Sequence, residues 1–528
     1  MTDARPHTLP AAPGAVDLFD GRRATTGSGL LRSFSDATVL EAADVHTATT
    51  LGRLVGGAPD EVLAAAALAV RAVRLGHVYV DLATVASIAA PSDEESDVDV
   101  ASLPWPDPRQ WPALVAGSPL AGEGLDGPAD RPLRLIGSRL YLDRYWRHER
   151  DVANDLARRA GAGQPPVDLG VLSSGLDRFF DQPAGDDGLQ RIAAATVVLR
   201  RFAVMAGGPG TGKTTTVARI VALLHEQATA LGAPPPRVAL AAPTGKAAAR
   251  LAEAVHAEAA TLDTDAAVRR AVLGTSATTI HRLLGWQPGN RSRFRHDRSN
   301  QLGHNVVIVD ESSMVSLSLM ARLLDAVRPS ARLVLVGDPR QLASVEAGAV
   351  LGDIVGPSRS GLRLSPPARA ALEAATRGSV VADDAGPGAT VADGIVVLQR
   401  VHRFGPGVAA VAEAIDSGDA DAVITSLSTT QPEVTWIDAA PDIDLARAPE
   451  LAPLRRALVD AAASVLAAAT AGDGAAALAA LGSVQVLCAH RRGAGGAAAW
   501  RIEIERWLRS EIPGYGGATA AHLSLIHI

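Results

Sequence analysis

Gly207, Gly208, Pro209, Gly210, Thr211, Gly212, Lys213 and Thr214 satisfy GxxxxGK[ST], a spacing suited to holding phosphates. Residues 202–206 before them form a short apolar run, and Val217, Ile220, Val221 and Leu224 after them recur at helical spacing. A glycine-rich turn between strand and helix lets successive backbone N–H groups face a polyphosphate. Lys213 adds a positive charge at the β and γ oxygens, the helix N-terminus adds its dipole, and Thr214 is placed to ligate Mg²⁺. Val306, Val307, Ile308 and Val309 run into Asp310 and Glu311 about one hundred residues downstream. Asp310 would hold the Mg²⁺ shell, and Glu311 would orient and deprotonate the attacking water. A third apolar run ends in Gly337, Asp338, Pro339, Arg340 and Gln341. An amide at Gln341 contacting the γ-phosphate would distinguish ATP from ADP. Alone, the second pattern reads equally as a strand end and the third as a turn. Together with the phosphate loop they describe a site for nucleotide hydrolysis.

Such a site needs a parallel sheet whose strands end at one edge. Apolar runs at 202–206, 238–242, 306–309, 333–336, 395–398 and 484–488 are read as its strands, most followed by loops and helical patterns. The fold class is therefore α/β, in two successive units. Residues 149–394 are expected to form the first and 395–528 part of a second. Residues 1–148 form a separate, mainly helical domain. Its helical pattern covers 43–82, a strand or hairpin falls at 133–142, and residues 145–160 are helical again. Five acids between 91 and 100, followed by a Pro/Gly-rich stretch, read as a flexible insertion over about 85–132.

Composition narrows the alternatives. The 528 residues carry 50 Lys and Arg against 57 Asp and Glu, a formal charge of −7, so blanket electrostatic attraction to nucleic acid is excluded and any track must be local. At 47% apolar residues the chain has ample core material, and aromatics at 3% leave that core to Ala, Val and Leu. Cys488 is the one cysteine, which rules out an internal disulfide or a multi-cysteine metal site. No apolar leader segment and no membrane-length apolar run are visible, so a cytoplasmic protein is expected.

From Gln190 to about Leu508 the chain resembles superfamily 1 DNA helicases and, within them, the RecD family, the alpha subunit of exodeoxyribonuclease V. Gln190 is placed like the family's adenine-reading glutamine. The loop from Gly207 through Thr214, with Thr215, is similar to motif I. Ala242 to Leu251, including Thr244 and Lys246, looks like motif Ia, and the stretch around His281 resembles a DNA-touching segment. Asp310 to Met314 is similar to motif II, and Gly337 to Val345 to motif III. Arg403 stands in a sequence similar to motif IV, whose arginine reaches the γ-phosphate from the second motor domain. The segment 64–82 looks like the family's partner-binding domain.

The resemblance implies that the two α/β units are RecA-like, P-loop motor domains, and implies ATP and Mg²⁺, 5′→3′ movement on single-stranded DNA from the 5′ end of a duplex, RecB-like and RecC-like partners, and a role in double-strand-break repair. Thr244, Lys246 and His281 are the candidate DNA contacts. Arg282, Arg291, Arg293, Arg295 and Arg298 with Trp286 and Phe294 read either as a stacking and phosphate track or as a solvated charged hairpin.

Motifs V and VI of superfamily 1 are not found, and no glutamine follows Gln485. The segment Leu523 to Ile528 departs from the Ala/Gly-rich texture before it, so a C-terminally truncated chain is expected, with activity in doubt. No carboxylate constellation for nuclease chemistry stands apart from the ATP site. Alternatives are a stand-alone RecD-like helicase, a non-motor assembly subunit, and a small-molecule kinase, for which motifs Ia, III and IV have no use.

Overall fold

The computed structural model describes residues 24, 27–90, 99–180, 188–286, 294–342, 344, 346–358, 361–386, 391–400, 405–429, 432–437, 445, 448–491, 493, 495–513 and 515. Two compact units divide between Phe404 and Gly405.

The first unit begins with a helical domain built around Asp60–Arg74, whose residues 64–69 are all buried. Five alanines and Leu68 make up that stretch, and the small alanine side chains let neighbours pack closely around it. A four-stranded sheet lies against it: β1 (Tyr79–Asp81), β2 (Ala121–Glu123), β3 (Leu133–Ile136) and β4 (Arg139–Leu142), ordered β1-β4-β3-β2. The reading of 133–142 as a hairpin holds, with β3 and β4 antiparallel across Gly137 at φ +62°.

The expectation of a flexible insertion over 85–132 does not hold for the described part. Residues 99–132 contain a helix, Trp111–Ala116, and β2, and both Trp111 and Leu120 are fully buried. Trp105 stacks on Phe34 at 4.5 Å, and Trp111 Nε1 donates to the Glu61 carbonyl at 2.9 Å. The prolines, glycines and acids set the average composition, but a few large apolar side chains decide where the segment goes. The acidic residues 91–98 lie outside the described set.

The helix Asp143–Ala160 belongs to the same unit as the motor sheet, so the expected boundary at 148 falls inside it. Tyr145, Val152 and Leu156 enter the sheet's apolar cluster, while buried Arg159 donates to the carbonyls of Val327 and Arg328 at 2.6 and 2.9 Å.

The motor sheet contains β5 (Phe202–Gly207), β6 (Val238–Ala242), β7 (Ala277–Thr279), β8 (Val306–Val309) and β9 (Arg332–Gly337). A small parallel pair, β10 (Arg363–Leu364) and β11 (Asp383–Asp384), stands apart, and β12 (Ile395–Leu398) completes the main sheet. The order is β12-β5-β9-β8-β6-β7, all parallel. Alternate residues serve two cores: Ala203, Met205, Val334 and Val336 face one cluster, and Phe202, Val204, Leu333 and Leu335 the other. Burial on both faces is why these strands read as unbroken apolar runs.

Two strand expectations need correction. β12 pairs in register with β5, Ile395 opposite Val204, so it closes the first motor sheet instead of opening a second. Residues 484–488 are not a strand; Leu487 is exposed, and the described residues of the second unit form helices and no strand longer than a single bridge residue, Val434. Those helices are Pro406–Ser417, Ala420–Ser428, Ala452–Thr470, Gly474–Leu481 and Ala497–Glu511, with a short 3₁₀ turn at Pro449–Leu451. Among the described residues no neighbouring strand is there for this mainly apolar pentapeptide to bond. Among the described residues no helix is long and apolar enough to cross a membrane.

Candidate nucleotide site

β5 delivers the chain to Gly207 at the carboxyl edge of the sheet, and the helix Lys213–Ala230 leaves from it. Gly212 caps that helix at φ +78°, and a Cβ there would stand 2.5 Å from Gln190 Nε2. At Gly208 a Cβ would meet nothing within 4 Å, so the loop has an open side from which a ligand can approach its backbone. Thr211 Oγ1 donates to Gly208 O at 2.9 Å and Thr216 Oγ1 to Gly212 O at 2.9 Å, fixing the turn from both ends. Lys213 Nζ donates to the carbonyls of Gly207 and Gly208 at 2.7 and 2.8 Å. Pro209, Gly210 and Thr211 complete the loop, and Thr214 and Thr215 are half-buried on the first helical turn. Gln190, on the helix Gly188–Leu199, donates its amide Nε2 to Thr211 O at 3.0 Å, which ties it to the loop's own backbone.

Asp310 emerges from β8, its N–H bonded to Ala241 O at 2.8 Å, and is buried. Burial pushes its carboxyl up to about 6, and the charge of Glu311 pushes the same way; the Glu311 N–H on Oδ1 at 2.9 Å and the positive charge of Lys213 oppose the rise. The opposition from Lys213 places the two side chains within electrostatic reach of one another. Glu311 takes the left-handed conformation, φ +50° and ψ +39°, which costs a non-glycine residue roughly 1–2 kcal/mol. Ser312 holds that turn, its buried hydroxyl donating to Val336 O at 2.8 Å, and the Met314 N–H returns to Glu311 O at 3.0 Å. The Ser313 hydroxyl beside it is buried without a hydrogen-bond partner among the described residues. Neither serine was singled out from the sequence. Their only signal is two small hydroxyl residues directly after paired acids.

Gln341 follows β9 on a turn organised by buried Asp338, which accepts from Arg340 N at 3.0 Å on its side chain and from Gln341 N at 3.3 Å on its carbonyl. Gln341 and Leu342 are both exposed. The structure therefore brings the phosphate loop, Asp310, Glu311 and Gln341 to the carboxyl ends of β5, β8 and β9. Arg403 lies outside the described residues.

Thr244 caps the helix Gly245–Thr261 after β6, accepting from Ala247 N at 3.2 Å, with Lys246 exposed beside it. His281 is exposed on the short helix after β7, its ring 5.8 Å from Phe294. All three share the carboxyl edge of the sheet with the phosphate loop. Trp286 and Phe294 pair across a β-bridge, and Arg282 and Arg295 are exposed. Arg298 is paired with Asp325 at 2.7 Å, and Arg291 and Arg293 lie outside the described residues.

Comparison with known proteins agrees with this geometry. Residues 190–347 match the family model described as an AAA domain, and residues 36–141 the model of the RecBCD enzyme subunit RecD, N-terminal domain. The chain is 44% identical over 486 residues to the RecBCD enzyme subunit RecD of Mycolicibacterium smegmatis, covering 91% of this chain and 75% of that one. It is 46% identical over 499 residues to the corresponding Mycobacterium tuberculosis protein, covering 94% and 75%. The ATP-dependent RecD2 DNA helicase of Deinococcus radiodurans is 37% identical over 216 residues, 40% of this chain and 26% of that one.

A doubly covered parallel sheet with a phosphate loop on one strand and paired acids on another defines a P-loop nucleotide hydrolase. Identity at this level over three quarters of its relatives' length makes the chain a member of the RecD family of DNA helicases.

Proposed function

We propose that this helicase hydrolyses ATP at the site between Lys213 and Asp310 and uses the energy to move 5′→3′ on single-stranded DNA. The observation that carries the reading is the convergence of Lys213, buried Asp310 and left-handed Glu311 on one edge of the sheet. The backbone N–H groups from Gly207 to Gly212 cradle the polyphosphate, and Lys213 exchanges its carbonyl partners for β and γ oxygens. Glu311 orients the attacking water and takes its proton. Gln341 hydrogen-bonds a γ-phosphate oxygen, and Arg403 supplies a second positive charge at the same phosphate.

The donor set fits Mg²⁺: a hydroxyl at Thr214 and a carboxylate at Asp310 that burial leaves short of compensating charge. Bound there, Mg²⁺ would neutralise charge developing on the transferred phosphoryl group. Thr244, Lys246 and His281 contact the DNA backbone along the edge where hydrolysis takes place. RecB-like and RecC-like subunits are the expected partners in the cytoplasm, in a complex acting on double-strand breaks; the match of residues 36–141 to the N-terminal domain of a RecBCD subunit favours this over a stand-alone helicase.

The test is ATP turnover with and without a single-stranded oligonucleotide, for the parent and Lys213→Ala. In the parent, turnover should be slow and little stimulated by DNA, and the variant should lose at least about a hundredfold of it, the scale of removing one preorganised charge stabiliser. Equal turnover by the two proteins would rule out this site.

A further inference from the structure

Beyond Gln341 the chain is held at three successive points. Ser316 Oγ donates to Glu346 Oε2 at 2.8 Å, Leu317 N–H to Ala347 O at 3.2 Å, and Gly348 N–H to the Gly76 carbonyl at 3.0 Å. The first two bind the loop to the segment that follows Asp310 and Glu311. The third binds it to the N-terminal domain.

Gly76 stands just past the helix Asp60–Arg74 at φ +89°, and the next N–H, on His77, returns to Ala72 O at 2.8 Å. Gly348 has φ +102°, and a Cβ on it would lie 2.7 Å from Leu317 Cβ and 3.5 Å from Val78 Cγ1. At Gly348 the chain thus passes between Leu317 and Val78 with no room for a side chain. Val73 and Val78 of the N-terminal domain pack against the apolar cluster that includes Val315, Leu317, Ala347 and Val350. At its start the loop is fixed by buried Asp338 and by Gly337, where a Cβ would be 2.9 Å from Ser312 Oγ. Both described ends of the segment are therefore held, at 337–340 and at 346–348.

We infer that the N-terminal domain is the anchor of the γ-phosphate-sensing loop: the Gly76–Gly348 contact, buttressed by Val78, positions Gln341. Occupancy of the phosphate site is then read at the turn after the helix Asp60–Arg74, and a ligand of the N-terminal domain biases the site in return, since coupling free energies are reciprocal. This rests on the reading of Gln341 as the sensor. Gly76 and Val78 are positioning residues and touch no substrate.

Hydrogen exchange on the full chain, comparing ADP with a non-hydrolysable ATP analogue, tests the inference. The analogue should change exchange across residues 338–348 and also across 73–82, by about fivefold, the low end of measured couplings. In Val78→Ala the first change should persist and the second shrink. The variant's preference for the analogue over ADP should fall by a similar factor with ADP affinity unchanged, whereas a purely structural defect would weaken both nucleotides alike. A response confined to 338–348 in the parent overturns the coupling while leaving the sensor intact, and equal weakening of both nucleotides overturns it too. If residues 338–342 do not respond at all, the sensor assignment fails and the coupling loses its input. Should Val78→Ala fail to fold, the parent measurement decides alone.

Discussion

Replacing Asp310 by Asn should stabilise the ligand-free protein and destroy its catalysis. The carboxyl is pushed up from its ordinary 3.8 to about 6, chiefly by burial. A folded pKa above the unfolded one means that the native state prefers the protonated form. Stability is then greatest below the unfolded value, falls as pH rises through the interval up to about 6, and stays level above it. At 1.36 kcal/mol per tenfold change, the charged carboxylate costs about 3 kcal/mol at pH 8. Asn keeps an oxygen to accept from the Glu311 N–H and carries no charge, so the variant should recover about that amount at pH 8 and roughly half of it at pH 5. Thermal unfolding in EDTA without nucleotide is the assay, followed in the transition of the unit that carries the site, and a gain of a few degrees is expected for a unit of this size. With Mg²⁺ and ATP at about one thousand times its Kd the order should invert, because such a ligand adds about 4.1 kcal/mol to the parent, more than the variant's gain, and nothing to a variant unable to bind it. A variant no more stable than the parent at pH 8, or one whose gain is the same at pH 5, would refute the burial argument.

Glu311→Gln should retain equilibrium binding of ATP while turnover drops at least about a hundredfold, since an amide positions water but takes no proton; loss of binding instead would move Glu311 into the metal shell. Trp111→Ala, at a fully buried position bonded to Glu61, should cost about 3–5 kcal/mol, seen as an earlier melting step for the N-terminal domain. An unchanged melting curve would mean that residues 99–132 are not part of that core.

The motor sheet was legible because its strands are buried on both faces and so leave runs such as Val306, Val307, Ile308 and Val309 with no polar interruption. The phosphate loop was legible for a different reason: backbone cradling requires glycine at fixed spacing, and the spacing survives in one dimension. What the sequence does not carry is pairing. Ile395, Val396, Val397 and Leu398 fit any buried strand, and nothing local says that their partner is β5 rather than a strand of a second domain. The mainly apolar stretch at 484–488 has no partner among the described residues and stays irregular. Backbone strain is equally silent. Glu311 is an ordinary residue type, and its left-handed conformation is imposed by Ser312 reaching β9, a contact between distant stretches of chain. In 99–132 average composition misled because packing energy concentrates in Trp105, Trp111 and Leu120.

The position of β12 also sets the order in which the chain can become a nucleotide-binding protein. β5 carries the phosphate loop and sits inside the sheet, with β9 on one side and β12 on the other. Emerging from the ribosome, β5 waits until β9 is made for its first neighbour, and roughly 190 residues separate Gly207 from the Leu398 that completes its second. Until then one flank of an apolar strand is an unpaired edge, open to pairing with other nascent chains. Such long-range closure is entropically costly and slow. Translation arrested before Ile395 would therefore leave a polypeptide whose phosphate loop is fully encoded but whose carrier strand is bonded on one side alone, a species for chaperones to shield.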